Sequence, residues 1–230
     1  MAETGGFVPW GPDHQAVVLL TAVAAAALIL GRQHLRGAAD HWARRVMAAV
    51  LVGNELLAWA ISAAHGQVLL PLQLCDLALF ATAWALLKPQ RSVAEVAYFW
   101  GLAGSLQAVL TPDLREPFPT YWWVKFFLGH CGVVLSAVYL AVTSNVQPTA
   151  RSVWRVWWLS NGYAVVAGIV NWAFGTNYGY LARKPMQPSL LDHLGPWPTY
   201  ILGTEVVALA SFALYYAPFV VARRLQRRIT

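Results

Sequence analysis

Seven stretches of this chain, at roughly 14–31, 46–64, 68–87, 93–111, 121–143, 152–175 and 197–222, are long and almost free of charge. A hydrocarbon core about 30 Å thick is crossed by about 20 mainly apolar residues wound as a helix, and irregular backbone would leave its polar groups without partners there. The runs are continuous instead of alternating, which predicts helices and not strands. The 230 residues are therefore expected to form an all-α polytopic membrane protein, a bundle of seven transmembrane helices making one domain over 1–230. Composition agrees, since 58% of residues are hydrophobic and 11% charged, where a soluble domain carries about 25% charged residues. Twelve Trp and nine Tyr suit the two membrane–water interfaces. A net charge of +6 does not mark a nucleic-acid partner, because the basic residues lie between the apolar runs and not on one soluble face.

Cytoplasmic connections retain Lys and Arg. Twelve of the sixteen basic residues fall in one set of alternate connections: Arg32, Arg36, Arg44, Arg45, Lys88, Arg91, Arg151, Arg155, Arg223, Arg224, Arg227 and Arg228. Arg115, Lys125, Arg183 and Lys184 make up the other set. The imbalance places the N-terminus outside and the C-terminus in the cytoplasm, which requires an odd number of spans. The opening MAETGGFVPWGPDHQ has no Lys or Arg, and no small-residue cleavage site follows the first apolar run, so that run reads as a first span and not as a removable signal peptide. The connection 175–198, on the outer side, contains several prolines and Gly195 and cannot be one helix. Its length makes it a candidate lid.

An ionisable group in hydrocarbon is costly enough to be a site hypothesis by default. Those inside the runs are Glu55, Asp76, Glu95, His130 and Glu205, with the amides Asn54, Gln73, Gln107, Asn161 and Asn171. At about 1.5 Å per residue, Cys75 lies roughly 10 Å from the outer end of its span, and Glu55, His130 and Glu205 lie about 12–14 Å from theirs. Gln107 and Asn171 are shallower. Several runs thus bring polar groups to similar depth in the outer half, which points to a polar pocket opening outward. Plainer roles compete with this. Asn54, Asn161 and Asn171 can be interhelical glue, Glu95 can meet Lys88 or Arg91 near the interface, and Glu55 and Glu205 can share a proton or pair with His130.

Cys75 and His130 carry the chemistry in this reading. A thiol becomes a good nucleophile beside an imidazole that accepts its proton, with a carboxylate to stabilise the imidazolium. Asp76 is about 100° around the helix from Cys75, which makes Glu55 or Glu205 the expected orienter. Cys131 reads as a small hydrophobe. The two cysteines have no zinc spacing, the outer His14, His65, Asp113, Glu116, Asp192 and His193 have no specific ligand pattern, and no nucleotide or flavin fingerprint occurs. Neither a metal nor another cofactor is expected.

The runs PLQLCDLALF (71–80), FWGLAGSLQAVLTPDL (99–114), FFLGHCGVVLSAVYL (126–140), GTNYGYLARKP (175–185) and SLLDHLGPWPTYIL (189–202) resemble the YwaF family of bacterial integral membrane proteins, whose eukaryotic relatives are of the transmembrane protein 164 type. The resemblance covers most of the chain from the third run onward. It implies a bacterial inner-membrane protein with seven spans and, by way of the eukaryotic branch, a phospholipid acyltransferase working through Cys75 in P-L-Q-L-C and His130 in F-L-G-H. Two positions depart from that pattern: Cys131, where a small residue such as glycine is expected, and Gly179, where a bulkier one is.

The expected function is acyl transfer between membrane phospholipids and lysophospholipids through an acyl-thioester, with Asn171, Gln107 or Asn177 as hydrogen-bond donors to the oxyanion. The rival is a non-catalytic ligand-binding or proton-coupled transport protein built on Glu55, Glu205 and His130. A seven-span receptor ranks last, because the short cytoplasmic connections offer a partner little surface.

Overall fold

The structure is a computed structural model that describes residues 6–68, 70–88, 90–143 and 146–229. The first five residues of the opening stretch lie outside it. Helices α1 (Pro12–Leu30), α2 (Ala38–Ala64), α3 (Leu74–Leu87), α4 (Arg91–Leu110), α5 (Tyr121–Thr143), α6 (Ala150–Phe174) and α7 (Thr199–Ile229) account for the long elements, and no strand occurs among the described residues. Five of them, α1, α2, α4, α5 and α7, are long and apolar enough to cross a membrane. Helix α6 has the length, but Arg151, Arg155, Ser160, Asn161 and four tryptophans make it less apolar.

Helix α3 corrects the expected run 68–87, since only Leu74–Leu87 is helical. The chain turns at Gly66, in a left-handed conformation, and Pro71 cannot donate a helical hydrogen bond. The freed backbone finds other partners. Gln67 N–H donates to the Ser62 carbonyl at 2.9 Å, and Tyr163 Oη of α6 donates to the Leu72 carbonyl at 2.9 Å.

The bundle packs through two main apolar clusters. One joins α2, α3, α4 and α5 around Leu51, Leu86, Val133 and Leu140; the other joins α3, α4, α5, α6 and α7 around Phe99, Trp100, Val156 and Phe212. Large apolar side chains such as Leu30, Val165, Trp172 and Leu202 point outward, while His14, Glu55, Glu95 and Asn171 are buried. This reversal of the soluble pattern fits lipid as the surrounding solvent. Close approach comes from small residues, the usual device where lipid removes the hydrophobic drive between helices. A Cβ on Gly132 of α5 would lie 2.9 Å from Leu51 Cδ2 of α2, and one on Gly101 of α4 would lie 3.1 Å from Ala137 Cβ of α5.

Alternating helices give the bundle two ends. At the arginine end, Arg44 Nε lies 2.9 Å from Asp40 Oδ1, Arg44 Nη2 donates to Thr143 Oγ1 at 2.9 Å, and Tyr139 Oη donates to Asp40 Oδ1 at 2.6 Å. Nearby, buried Glu95 accepts from Arg91 at 3.0 Å and from Arg155. The sequence offered Lys88 or Arg91 as its partners, and Arg155 from α6 is the addition. At the loop end lie the connections 65–73, 111–120 and 175–198.

Candidate functional site

A cavity at the loop end collects residues from four helices. Glu55 comes from α2, Cys75, Asp76 and Leu79 from α3, Ser105 from α4, and Lys125, Phe126, Gly129, His130 and Val133 from α5. Its empty volume is about 330 Å³, including the space at its mouth. Cys75 and His130 are half-buried, so both can be reached from the cavity. Neither has a side-chain hydrogen-bond partner among the described residues. Phe126 packs on the His130 ring, with centroids 4.4 Å apart. Such a contact limits how the imidazole can turn.

Cys75 is the second residue of α3, and its position depends on how that helix starts. Asp76 Oδ2 accepts the Gln73 N–H at 3.1 Å and so caps the first turn. Gln73 Oε1 in turn accepts the Gly179 N–H at 3.0 Å from the 175–198 connection. Gly179 has φ 64°, and a Cβ there would sit 2.9 Å from the Tyr163 hydroxyl, the same hydroxyl that holds Leu72. Glycine at 179, a departure from the expected family pattern, is therefore what this junction requires.

Charge balance in the cavity differs from the expected pairing. Glu55 meets neither His130 nor Glu205; its Oε2 lies 2.9 Å from Lys125 Nζ of α5. Asn54 of α2 donates to the Lys125 carbonyl at 3.0 Å and fixes that turn of α5. Lys125 was assigned to an outer connection because it is basic, yet it lies inside the apolar run 121–143, and that position was the available signal. Asp76 lines the cavity beside Cys75 despite the 100° between them, because its side chain turns back along the first helical turn to reach Gln73.

Gln107, Asn171, Asn177 and Glu205 are not among the residues lining this cavity. Glu205 Oε2 accepts from Asn161 Nδ2 at 3.0 Å, between α6 and α7. Gln107 Nε2 donates to Thr111 Oγ1 at 2.7 Å. Asn171 is engaged three times with the connection that follows α6: Nδ2 donates to the Tyr178 carbonyl at 2.9 Å, and Oδ1 accepts from Thr176 Oγ1 at 2.8 Å and Tyr178 N at 2.7 Å. Asn177 Oδ1 accepts from Ala182 N and Arg183 N at 3.1 and 3.0 Å. Depth groups Glu205, Gln107 and Asn171 with the pocket, and rotation about the helix axes separates them from it, while Asn177 lies in the connection itself. The two asparagines shape the 175–198 connection, which is further tied down by Tyr180 Oη donating to Asp113 Oδ2 at 3.0 Å. Burial and that carboxylate hold the Tyr180 phenol above its ordinary pKa. Among the described residues no three His, Cys, Asp or Glu side chains gather as metal ligands.

A model described as the TMEM164 family matches residues 9–216, from the approach to α1 well into α7. It carries the name of the transmembrane protein 164 type and not that of the YwaF family. An uncharacterized protein of Treponema pallidum (strain Nichols) is 26% identical over 227 residues, covering 94% of this chain and 91% of that protein. No solved structure matches significantly. With a family match that takes in the cavity and every helix that lines it, this multi-pass helical chain belongs to the TMEM164 family.

Proposed function

We propose that this protein is a membrane-embedded phospholipid transacylase in which Cys75 is the nucleophile and His130 the base. The observation that carries the reading is the meeting of Cys75 from α3 and His130 from α5 at one half-buried cavity. Cys75 Sγ, its proton passed to His130, attacks the ester carbonyl of a membrane phospholipid. The tetrahedral adduct collapses, the carbon–oxygen bond to the glycerol breaks, and the departing lysophospholipid oxygen takes the proton from His130. A second lysophospholipid hydroxyl, deprotonated by His130, then attacks the thioester and regenerates the thiol. Lys125 and Glu55, paired at the cavity wall, neutralise each other, so neither leaves a bare charge beside an entering acyl chain.

In this proposal all seven helices lie across or within a bacterial inner membrane. The loop end faces outward and the arginine end faces the cytoplasm, as the distribution of Lys and Arg supports. The 175–198 connection covers the loop end as a lid. Because the cavity faces the outer half, the donor is a lipid and not cytoplasmic acyl-CoA.

The test is to reconstitute the protein in phospholipid vesicles and look for a hydroxylamine-labile acyl group on Cys75. The expected result is an adduct on Cys75 and loss of acyl exchange in Cys75→Ser. Absence of the adduct, together with unchanged exchange in Cys75→Ser, overturns the proposal.

A further inference from the structure

Ser105 is 1% exposed and lines the cavity that holds Cys75 and His130. Its hydroxyl is buried and has no hydrogen-bond partner among the described residues. An unsatisfied buried hydroxyl carries a desolvation cost of about 1–3 kcal/mol, so a native structure that keeps one calls for an explanation.

Helical hydroxyls in this bundle ordinarily have an easy solution. Thr21, Thr82, Thr143, Ser160 and Thr204 each donate to the carbonyl four residues earlier, at 2.6–2.9 Å. Ser105 does not. It closes a π-helical turn, Gly101–Ser105, inserted in α4, and the carbonyl four residues before it, that of Gly101, accepts the Leu106 N–H instead. The wider turn changes the backbone spacing that the other hydroxyls use, and Ser105 lies at the cavity wall. Single π turns inside α-helices concentrate at functional sites. Here the turn is held against the helix that carries His130, since a Cβ on Gly101 would lie 3.1 Å from Ala137 Cβ and 3.2 Å from Val133 Cγ1. Ser62 and Ser136 also have unpartnered hydroxyls, but neither lines the cavity.

We infer that the Ser105 hydroxyl is the donor that stabilises the oxyanion when Cys75 is acylated. The inference rests on the transacylase reading and adds a catalytic residue to it. When Cys75 Sγ bonds to the carbonyl carbon, the π electrons move to the carbonyl oxygen, and that oxygen accepts the Ser105 O–H. Collapse returns the pair to the carbon–oxygen double bond as the alcohol leaves with the proton held by His130. A donor that is already desolvated and has no ground-state partner needs no reorganisation when charge develops. The amides of Asn171, Gln107 and Asn177 lack that freedom, being engaged elsewhere.

The test separates chemistry that forms an oxyanion from chemistry that does not. In a Cys131→Ala background, where Cys75 is the remaining cysteine, acylation of Cys75 by p-nitrophenyl decanoate is compared with its alkylation by iodoacetamide. Ser105→Ala should slow acylation by about 10²–10³-fold while alkylation stays within about twofold. Ser105→Thr should keep most of the acylation rate, and Ser136→Ala should change neither rate. Equal acylation in Ser105→Ala and its parent overturns the assignment of Ser105 alone, as does a matched fall in both rates. A parent that alkylates normally but accepts no acyl group overturns the transacylase reading, and the role of Ser105 with it.

Discussion

The two ends of the bundle bury carboxylates in opposite ways. At the arginine end Glu95 sits between Arg91 and Arg155, and Asp40 between Arg44 and Tyr139, each acceptor matched by donors from more than one helix. At the loop end Glu55 has one cation, Lys125, and beside that pair a cavity opens onto a thiol, an imidazole and an unpartnered hydroxyl. At the first end each carboxylate is met by several donors. At the second, groups without partners leave room for the proposed substrate, a trade of stability for function.

Stripping the cations from each end tests that contrast. Arg91→Ala combined with Arg155→Ala strands a buried carboxylate, and should cost about 3–5 kcal/mol in unfolding free energy, measured by denaturation in mixed micelles. Lys125→Met strands Glu55, but beside a cavity that water can enter, so a smaller loss of about 2–3 kcal/mol is expected. The double change Glu55→Gln with Lys125→Met should recover a coupling of about 0.5–3 kcal/mol. Should Lys125→Met cost as much as the arginine double variant, the loop end is as closed as the other and the comparison breaks.

Smaller effects sharpen the loop end itself. Asn171→Ala removes three hydrogen bonds from the start of the 175–198 connection. A local loss of about 1–3 kcal/mol should make tryptic cleavage after Arg183 about tenfold faster or more. Glu205→Gln keeps an acceptor for Asn161 and should shift stability by less than about 1 kcal/mol and leave acyl exchange intact. Loss of exchange in that variant would favour a proton-coupled role for Glu205.

The apolar runs made the helices legible, because hydrocarbon imposes one solution on a long uncharged segment. They did not disclose that α3 begins only at Leu74, since Leu70 and Leu72 are as apolar as the helix that follows. Depth counting brings Glu55, Cys75 and His130 to a similar level, and these three line one cavity together with Asp76, which the 100° rotation had set aside. It could not exclude Glu205, Gln107 or Asn171, because depth carries no information about rotation around the helix axis. Ser105 was invisible for a related reason: a π turn shifts the register of side chains downstream, and no residue in GLAGS announces it. Lys125 was misread by treating every basic residue as a loop marker.

The brevity of α3 has a consequence for the surrounding bilayer. Its fourteen residues span about 21 Å at 1.5 Å per residue, some 9 Å less than a typical hydrocarbon thickness of about 30 Å. In the proposed seven-span arrangement Lys88 marks the cytoplasmic interface, and the whole deficit then falls at the end that carries Cys75. Mismatch of this kind is met by local thinning or by snorkelling of flanking residues, so the proposed arrangement puts a dent in the membrane above the thiol. Acyl exchange should accordingly respond to the chain length of the host lipids, rising where the bilayer's relaxed thickness meets the dent and falling where longer chains must be compressed to reach it.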